Sequence, residues 1–391
     1  MDLWWFVHIW VDRYSDIQWQ KPCLQRRRHS CVYKVRLVLV SLNMSLIKGS
    51  YRLNIFGFPG NPSIPNLNLG LLDQRLAIEW LRDNIAAFGG DPSRITIFGQ
   101  SAGGSSVDFY SYAYTSDPII AGFIQESGTI AGQGTVNAST ANAAWFNVTA
   151  ALGCGSSSSN SSEVLTCMRT KSVDAILNEI SRGPADVTTS SPFNPAVDDI
   201  TVFSDYPERS VAGNFIKAPM LIGSTDYEAG LFAAVDALFR ITYPRDLWNE
   251  YDLDTFTCPA GLRANVNIAA NVPTWRYRYF GVFPNLRLTS EPESGAWHGS
   301  ELSIIFDTVP QGAGIPENTN EEISIGDYVR EAWVTFAKDP ANGLRNYQDG
   351  WPLYDPSEKT LIRLGYDNLT GVNLAMPSLY DRGCETTFAY Q

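Results

Sequence analysis

The chain has 391 residues, and 44% of them are hydrophobic, so it is long enough to bury a large core in one α/β domain. Its formal net charge of -12 argues against a nucleic-acid partner or an anionic membrane surface, and it suits an extracellular protein. The apolar stretch at residues 3–11 is too short to cross a bilayer and is interrupted by His8. No basic residue precedes it, as one would in a secretory signal. We therefore expect no transmembrane segment and no signal peptide in this chain.

Residues 1–50 differ in composition from the rest of the chain. Residues 4–10 are dense in aromatic side chains, and residues 26–29 are basic in an otherwise acidic protein. An exposed arm with a solvated basic run would account for both features. The pattern of a folded domain begins at residues 35–42, where the sequence predicts a strand. It predicts the next strand at residues 51–58.

A helix and a buried strand are predicted between residues 66 and 98. Apolar residues at helical spacing predict the core-facing side of the helix, and they are Leu72, Leu76, Ala77, Trp80, Leu81 and Ile85. Residues 88–92, Phe-Gly-Gly-Asp-Pro, end the helix. Residues 95–98, Ile-Thr-Ile-Phe, are typical of a buried strand. Strand, helix and strand in this order predict a parallel α/β sheet.

The motif Gly-x-Ser-x-Gly follows that strand directly and occurs once, with Ser101 between Gly99 and Gly103. A strand before the serine and small residues after it are the context of a nucleophile elbow. In such a turn the serine is held at a strained backbone position, and the glycines keep Cβ atoms out of the crowded space. The alternative interpretation is that Ser101 merely caps a helix that follows a core strand.

A serine hydroxyl becomes a good nucleophile when a base takes its proton, and the usual base is a histidine held by a carboxylate. Of the three histidines, only His298 follows Ser101, as the chain order of an α/β-hydrolase requires. The carboxylate is expected at the end of a strand between them, and residues 218–223 predict such a strand. Asp226 and Glu228 both follow it, and spacing does not separate them. A core histidine and solvated loop carboxylates are the alternatives.

Several segments in order along the chain resemble the type-B carboxylesterase family, the branch of the α/β-hydrolase fold that contains carboxylesterases, lipases and cholinesterases. The matching segments are residues 54–58, 68–74, 86–94, 99–104, 125–128, 223–230, 298–302, 332–340 and 351–354. The resemblance extends from about residue 37 to the C-terminus. It implies a mostly parallel central sheet flanked by helices, in a single catalytic domain over residues 51–391. It also implies hydrolysis of small-molecule or lipid esters without a metal or a cofactor.

The resemblance assigns roles to particular residues. It implies that Ser101 is the nucleophile, His298 the base and Glu228, rather than Asp226, the acid. The family usually has Asp-Glu-Gly around the acid, where this chain has Tyr-Glu-Ala at residues 227–229. Ser127 matches a serine that supports the acid, and its alternative is a buried core hydroxyl.

The cysteines and sequons fit an extracellular protein. The resemblance implies two disulfides, Cys154 with Cys167 and Cys258 with Cys384, whereas free buried thiols are the alternative. Cys23 and Cys31 have no family counterpart. Four Asn-x-Ser/Thr sequons are candidate glycosylation sites, although single sequons are common by chance, and they are Asn137, Asn147, Asn160 and Asn368.

The oxyanion hole of an esterase needs more than one N–H donor. Ala102, directly after the nucleophile, supplies one, and the others come from an upstream Gly-Gly loop. No Gly-Gly precedes Gly89 in this sequence. When the codons of residues 1–11 are read one nucleotide later, those of Trp4, Trp5 and Trp10 each give Gly. That reading frame permits the segment Trp-Ile-Tyr-Gly-Gly-Ser-Phe-Ile-Ser-Gly, which is similar to the family's oxyanion segment.

Residues 44–50 interrupt what is a continuous Ser-x-Asn-Tyr-Arg-Leu segment in the family. Together with the alternative frame, this indicates that residues 1–50 carry a frame error and an insert, and that the domain is truncated at its N-terminus. The first functional hypothesis is a secreted serine carboxylesterase. The rival is a catalytically impaired or non-catalytic binding protein on the same fold, although such proteins usually lose the nucleophile that this chain keeps.

Overall fold

The computed structural model describes residues 51–180 and 192–384, together with the backbone of three strands before residue 51. Within these residues the strands are β1 (Val7–Arg13), β2 (Arg36–Val40), β3 (Met44–Lys48), β4 (Gly90–Gln100), β5 (Gly122–Glu126), β6 (Met220–Thr225), β7 (Thr274–Tyr279), β8 (Leu361–Leu364) and β9 (Leu374–Ala375). Two predictions concern residues whose side chains lie outside the described part of the chain. One is that residues 1–50 contain a frame error and an insert, and the other is that Cys23 and Cys31 lack family counterparts.

Helices connect the strands. The α-helices are α1 (Asn54–Gly57), α2 (Leu69–Asn84), α3 (Ala102–Ala113), α4 (Ile130–Gln133), α5 (Ala138–Ala151), α6 (Ser161–Met168), α7 (Val173–Ile180), α8 (Tyr206–Ala212), α9 (Ala229–Leu238), α10 (Arg245–Asp252), α11 (Cys258–Ala269), α12 (Ser300–Ile305) and α13 (Asn320–Lys338). Short 3₁₀ turns occur at Ile85–Phe88, Gly343–Asn346, Tyr366–Asn368 and Pro377–Leu379, and a π-helical turn at Leu253–Thr257 joins α10 to α11.

The described strands form one nine-stranded sheet in the order β2-β3-β1-β4-β5-β6-β7-β8-β9. Strands β4 to β8 run parallel, whereas the pairs β1–β4, β1–β3, β2–β3 and β8–β9 are antiparallel. The predicted mostly parallel sheet with flanking helices is therefore confirmed, as in the α/β-hydrolase fold. Because β4 to β7 are parallel, the loops that follow them emerge at the same edge of the sheet.

The two faces of the parallel strands carry separate cores, because successive side chains of a strand point to opposite faces. Phe98, Ile124 and Leu221 pack with helix α13 on one face. Ile97 and Phe123 pack with helix α2 on the other face. Burial on both sides fixes the strand register, which pairs Ile97 with Phe123 and Phe98 with Ile124.

The predicted strand at residues 51–58 is wrong, because the chain forms the short helix α1 there. Asn54 has a φ of 53°, a left-handed conformation that ends an extended path. A Cβ at Gly57 would lie 2.1 Å from the carbonyl oxygen of Arg52, so the turn needs glycine.

Helix α2 exists as predicted, but the predicted core-facing side is partly wrong. Leu76 is 64% exposed and Trp80 is 48% exposed. Leu81 and Ile85 are buried as predicted, and the buried face also contains Leu71 and Ile78, which the prediction omitted.

Two buried polar residues explain this difference. Gln74 and Arg75 lie on the same inward side as Ile78, and they break the apolar pattern in the sequence. Arg75 donates to the Tyr110 hydroxyl and to the carbonyl oxygen of Asp117, both at 2.8 Å, and pairs with the Asp117 carboxylate. A buried guanidinium is tolerated when its donors are satisfied in this way, and only the fold reveals those partners.

Two disulfides join Cys154 to Cys167 and Cys258 to Cys384, which are the pairs that the resemblance implies. The first closes a short loop before α6, and the second ties the end of the described chain to the start of α11. Among the described residues no helix is long and apolar enough to cross a membrane.

The corrected face of α2 makes a testable prediction. We expect Ile78→Ala to lower the free energy of unfolding by about 2–5 kcal/mol, because Ile78 is 1% exposed and its truncation leaves a cavity. The matched change Leu76→Ala on the same helix should alter it by about 0.5 kcal/mol or less. Denaturant unfolding of both variants measures the difference. Equal losses would contradict the assigned face.

Candidate active site

Ser101 lies in the tight turn between β4 and α3, with φ 58° and ψ −123°. This left-handed conformation is strained for a non-glycine residue and is typical of a nucleophile elbow. The turn is held by the Ser101 N–H, which donates to the carbonyl oxygen of Glu126 at 2.8 Å. The residue is 4% exposed, so its hydroxyl lies within the protein at the carboxyl edge of the sheet.

Glycines allow the close backbone approaches around this turn. A Cβ at Gly99 would lie 2.2 Å from the carbonyl oxygen of Gly103. A Cβ at Gly128 would lie 1.9 Å from the carbonyl oxygen of Ser101, so the loop after β5 also needs glycine. The close approach of Gly128 to Ser101 brings the loop that contains Ser127 against the elbow.

Glu228 follows β6 and its carboxylate is fully buried. One oxygen, Oε1, accepts from the Ser127 hydroxyl at 2.6 Å and from the backbone N–H of Thr225 at 2.7 Å. The other oxygen, Oε2, lies 2.5 Å from Nδ1 of His298. Because a carboxylate only accepts hydrogen bonds, this contact places a proton on Nδ1 of the imidazole ring.

His298 lies in the loop before α12 and is 6% exposed. Its ring packs against the rings of Phe232 and Phe256, with centroid distances of 5.4 and 4.9 Å. Nε2 lies 3.2 Å from the side-chain nitrogen of Gln100, the neighbour of Ser101. With the proton on Nδ1, Nε2 can accept from this amide.

The structure thus brings His298 and Glu228 into contact, and it places His298 against the residue next to Ser101. Within the described residues no hydrogen bond joins the Ser101 hydroxyl to the His298 ring. Hydrogen bonds between a nucleophile and its base are often long or absent before substrate binds, so the absence of this bond is compatible with a serine and its base.

Asp226, the other candidate acid, has a different partner. Its carboxylate accepts from Nε of Arg278 on β7 at 2.8 Å, and its backbone carbonyl accepts from Nη2 at 2.9 Å. In the structure Glu228, and not Asp226, contacts His298. This contact favours Glu228 over Asp226 as the acid, a role that stays a prediction.

Three further acids are buried around Glu228. Burial, together with the nearby charge of Glu301, raises the pKa of Glu126 well above its usual value. Burial and the charge of Glu228 raise the pKa of Glu301 in the same way. The same two causes raise the pKa of Asp252 to about 8. These groups therefore hold their protons more tightly than ordinary carboxyl groups.

Sequence reasoning missed these acids and the aromatic walls of the site. Glu126 and Glu301 lie within residues 125–128 and 298–302, two segments that resemble the family, but neither pattern indicates a buried acid. Phe232, Phe256 and Asp252 carry no motif, and only their packing reveals them.

The first turn of α3 is the source of N–H groups near the serine. Ala102 is the first residue of this helix, and the first N–H groups of a helix have no acceptor within it. They can therefore donate to an oxygen that becomes negative beside Ser101. No group of three or more His, Cys, Asp or Glu side chains in the described part of the chain is arranged to hold a metal ion.

Comparison with known proteins identifies the family. A model of the carboxylesterase family matches residues 29–255, which is more than half of the chain. The chain belongs to the carboxylesterase family. This confirms the resemblance and the α/β-hydrolase fold that it implies.

Two fungal relatives and one animal relative illustrate the range of this family. The chain is 33% identical to chlorogenic acid esterase from Aspergillus niger over 86% of this chain and 66% of that protein. It is 34% identical to secreted lipase 5 from Gibberella zeae over 88% of this chain and 66% of that protein. It is 28% identical to acetylcholinesterase from Bungarus fasciatus over 90% of this chain and 65% of that protein. The chain thus spans just under two thirds of the length of these carboxylesterase relatives.

The geometry around Glu228 makes a second prediction. We expect Ser127→Ala to slow the reaction of Ser101 with a fluorophosphonate probe by roughly ten-fold, because the carboxylate loses one of its donors and orients His298 less well. Labelling rates at fixed pH measure the effect. Ser111→Ala is the matched control, since it also removes a buried serine hydroxyl but one that bonds to the carbonyl oxygen of Asp108. An equal slowing in both variants would contradict a specific role of Ser127.

Proposed function

We propose that this protein hydrolyses carboxylic esters through an acyl-enzyme intermediate. Nε2 of His298 takes the proton of the Ser101 hydroxyl, and Oγ attacks the ester carbonyl carbon. Glu228 accepts from Nδ1 and stabilises the positive charge that forms on the ring. The bond from the carbonyl carbon to the alcohol oxygen then breaks, and His298 gives its proton to that oxygen. In the second half, His298 takes a proton from water, whose oxygen attacks the carbonyl carbon of the acyl-serine. The bond to Oγ breaks, the acid leaves and His298 returns the proton to Oγ.

The observation that carries this proposal is the fully satisfied Glu228 carboxylate at 2.5 Å from Nδ1 of His298, with Nε2 directed at the residue beside Ser101. A buried carboxylate that fixes one tautomer of a histidine, whose ring contacts the neighbour of a strained serine, supports a role of this histidine as the base of that serine. The names of the fungal relatives, an esterase and a lipase, support the same reaction class.

The oxyanion of the tetrahedral intermediate needs donors. In the proposed mechanism the N–H of Ala102 is one of them. The sequence has no Gly-Gly before Gly89 to supply the others. This observation favours the second candidate, a protein with impaired catalysis that binds esters on the same fold. A fluorophosphonate probe separates the two, because only an activated serine reacts with it rapidly.

We expect Ser101→Ala and His298→Ala each to reduce ester hydrolysis by roughly a thousand-fold or more, and the double variant to be little worse, since the residues act as a unit. Initial rates with a short p-nitrophenyl ester measure this. Glu228→Gln should also be strongly impaired, whereas the matched variant Asp226→Asn, which changes a carboxylate paired with Arg278, should keep most of the rate. Near-normal turnover by Ser101→Ala would rule out the proposed nucleophile.

We also propose that the protein acts outside the cell. Two disulfides and relatives named as secreted lipases support this location. Three of the four sequon asparagines, Asn137, Asn147 and Asn160, are exposed. Asn368 is half-buried, and its side chain exchanges two hydrogen bonds with the backbone of Val282.

Secretion from a eukaryotic host should therefore add glycans at the exposed sequons and not at Asn368. Peptide mass spectrometry after glycosidase treatment detects each modified asparagine. Variants that replace each asparagine by Gln assign any shift in gel mobility. A secreted protein without any glycan at the three exposed sites would contradict this prediction.

A further inference from the structure

One peptide unit links the proposed acid to the proposed base. The carbonyl oxygen of Glu228 accepts from the backbone N–H of His298 at 3.3 Å. On the other side of the same peptide, the N–H of Ala229 donates to Oδ1 of Asp252 at 2.6 Å. The orientation of this peptide determines where the Glu228 side chain leaves the backbone. A contact at each end holds it in place.

Helix α9 explains why this N–H needs an outside partner. Ala229 is its first residue and Glu228 is its N-cap, a position whose side chain often accepts from the first turn of the helix. Both oxygens of Glu228 are already bonded to Ser127, Thr225 and His298, and no side-chain cap bond forms. Asp252, the last residue of α10, supplies the missing acceptor from another helix.

We infer that Asp252 is a positioning residue of the active site, which holds Glu228 in register with His298 by accepting from the N–H of Ala229. This rests on the proposed function, because the position of Glu228 matters only if it orients the base. Asp252 does not touch the reacting atoms. It acts through the Glu228–Ala229 peptide.

The surroundings of Asp252 determine its charge. It is 6% exposed. The groups that interact with it are the Glu228 carboxyl at the start of α9, Arg278 on β7, Arg245 and Tyr251 on α10, and Tyr227 in the loop before α9. Burial first, and the charge of Glu228 second, raise the pKa of Asp252 to about 8 despite the two arginines. Its acceptor oxygen is therefore needed at neutral pH, whereas its negative charge is not.

This distinction suggests a pair of variants. Asp252→Asn keeps a carbonyl oxygen that can accept from Ala229 N–H, and Asp252→Ala removes it. At pH 7 we expect Asp252→Ala to label with a fluorophosphonate roughly ten-fold more slowly than the wild type, and Asp252→Asn to stay within about three-fold. Asp246→Ala, an exposed acid on the same helix, is the control and should be unchanged. Equal slowing in Asp252→Asn and Asp252→Ala, or none in a folded Asp252→Ala, would overturn the inference.

A second measurement needs no activity. The raised pKa means that the folded protein holds a proton on Asp252 that the unfolded chain releases above about pH 4. This group's contribution to stability is therefore present below about pH 4 and is lost as the pH rises to about 8. Asp252→Asn has no such loss. Its melting temperature relative to the wild type should thus increase from pH 5 to pH 8.

The two measurements separate the possible failures. A wild-type chain that never reacts with the probe overturns the proposed function, and the melting temperatures then test the buried carboxyl of Asp252 by itself. A melting-temperature difference between Asp252→Asn and the wild type that does not change from pH 5 to pH 8 overturns the placement of Asp252 described above. Reaction of the wild type, rescue by Asn and the expected pH trend together support the inference.

Discussion

The buried carboxylate of Glu228 is the interaction on which the site depends. Removing a charge from water costs several kcal/mol, and only a full set of hydrogen bonds offsets that cost. Its donors are Ser127 after β5, Thr225 at the end of β6 and His298 before α12. Since these donors come from three separate segments, satisfying the carboxylate also fixes the segments relative to one another. The geometry needed to orient a histidine is therefore also the geometry that makes the buried charge tolerable.

The other buried acids fit this arrangement. Burial disfavours the charged form of a carboxyl group and is the first cause of their raised pKa values, and the nearby acids add to it. This is the direction of the pKa shifts at Glu126, Glu301 and Asp252. Glu126 is further held by the Trp333 indole N–H, which donates to Oε1 at 2.7 Å. These acids therefore hold their protons more tightly than ordinary carboxyl groups, while the Glu228 carboxylate keeps its contact with Nδ1 of His298.

Local patterns were sufficient for the parts of the protein that depend on neighbouring residues in the chain. The strand at residues 95–98 and the glycines around Ser101 predict the elbow, because a strained turn needs small flanking residues wherever it occurs. Chain order and the small number of histidines select His298 without any knowledge of contacts. Successive motifs indicate the family, and the family implies the parallel sheet.

Tertiary structure alone decided what depends on contacts between distant residues. Asp226 and Glu228 are equivalent by spacing, and they differ because Arg278 on β7 takes the first while His298 contacts the second. The inward side of α2 carries Arg75, whose burial is offset by Asp117 and Tyr110 from distant segments, together with Glu79 on the same helix. The sequence by itself determined the family and the fold class and predicted the elbow and the base, since these follow from local pattern, successive motifs or chain order. Which acid faces the base was settled by folding, because hydrogen-bond partners are chosen by position in space.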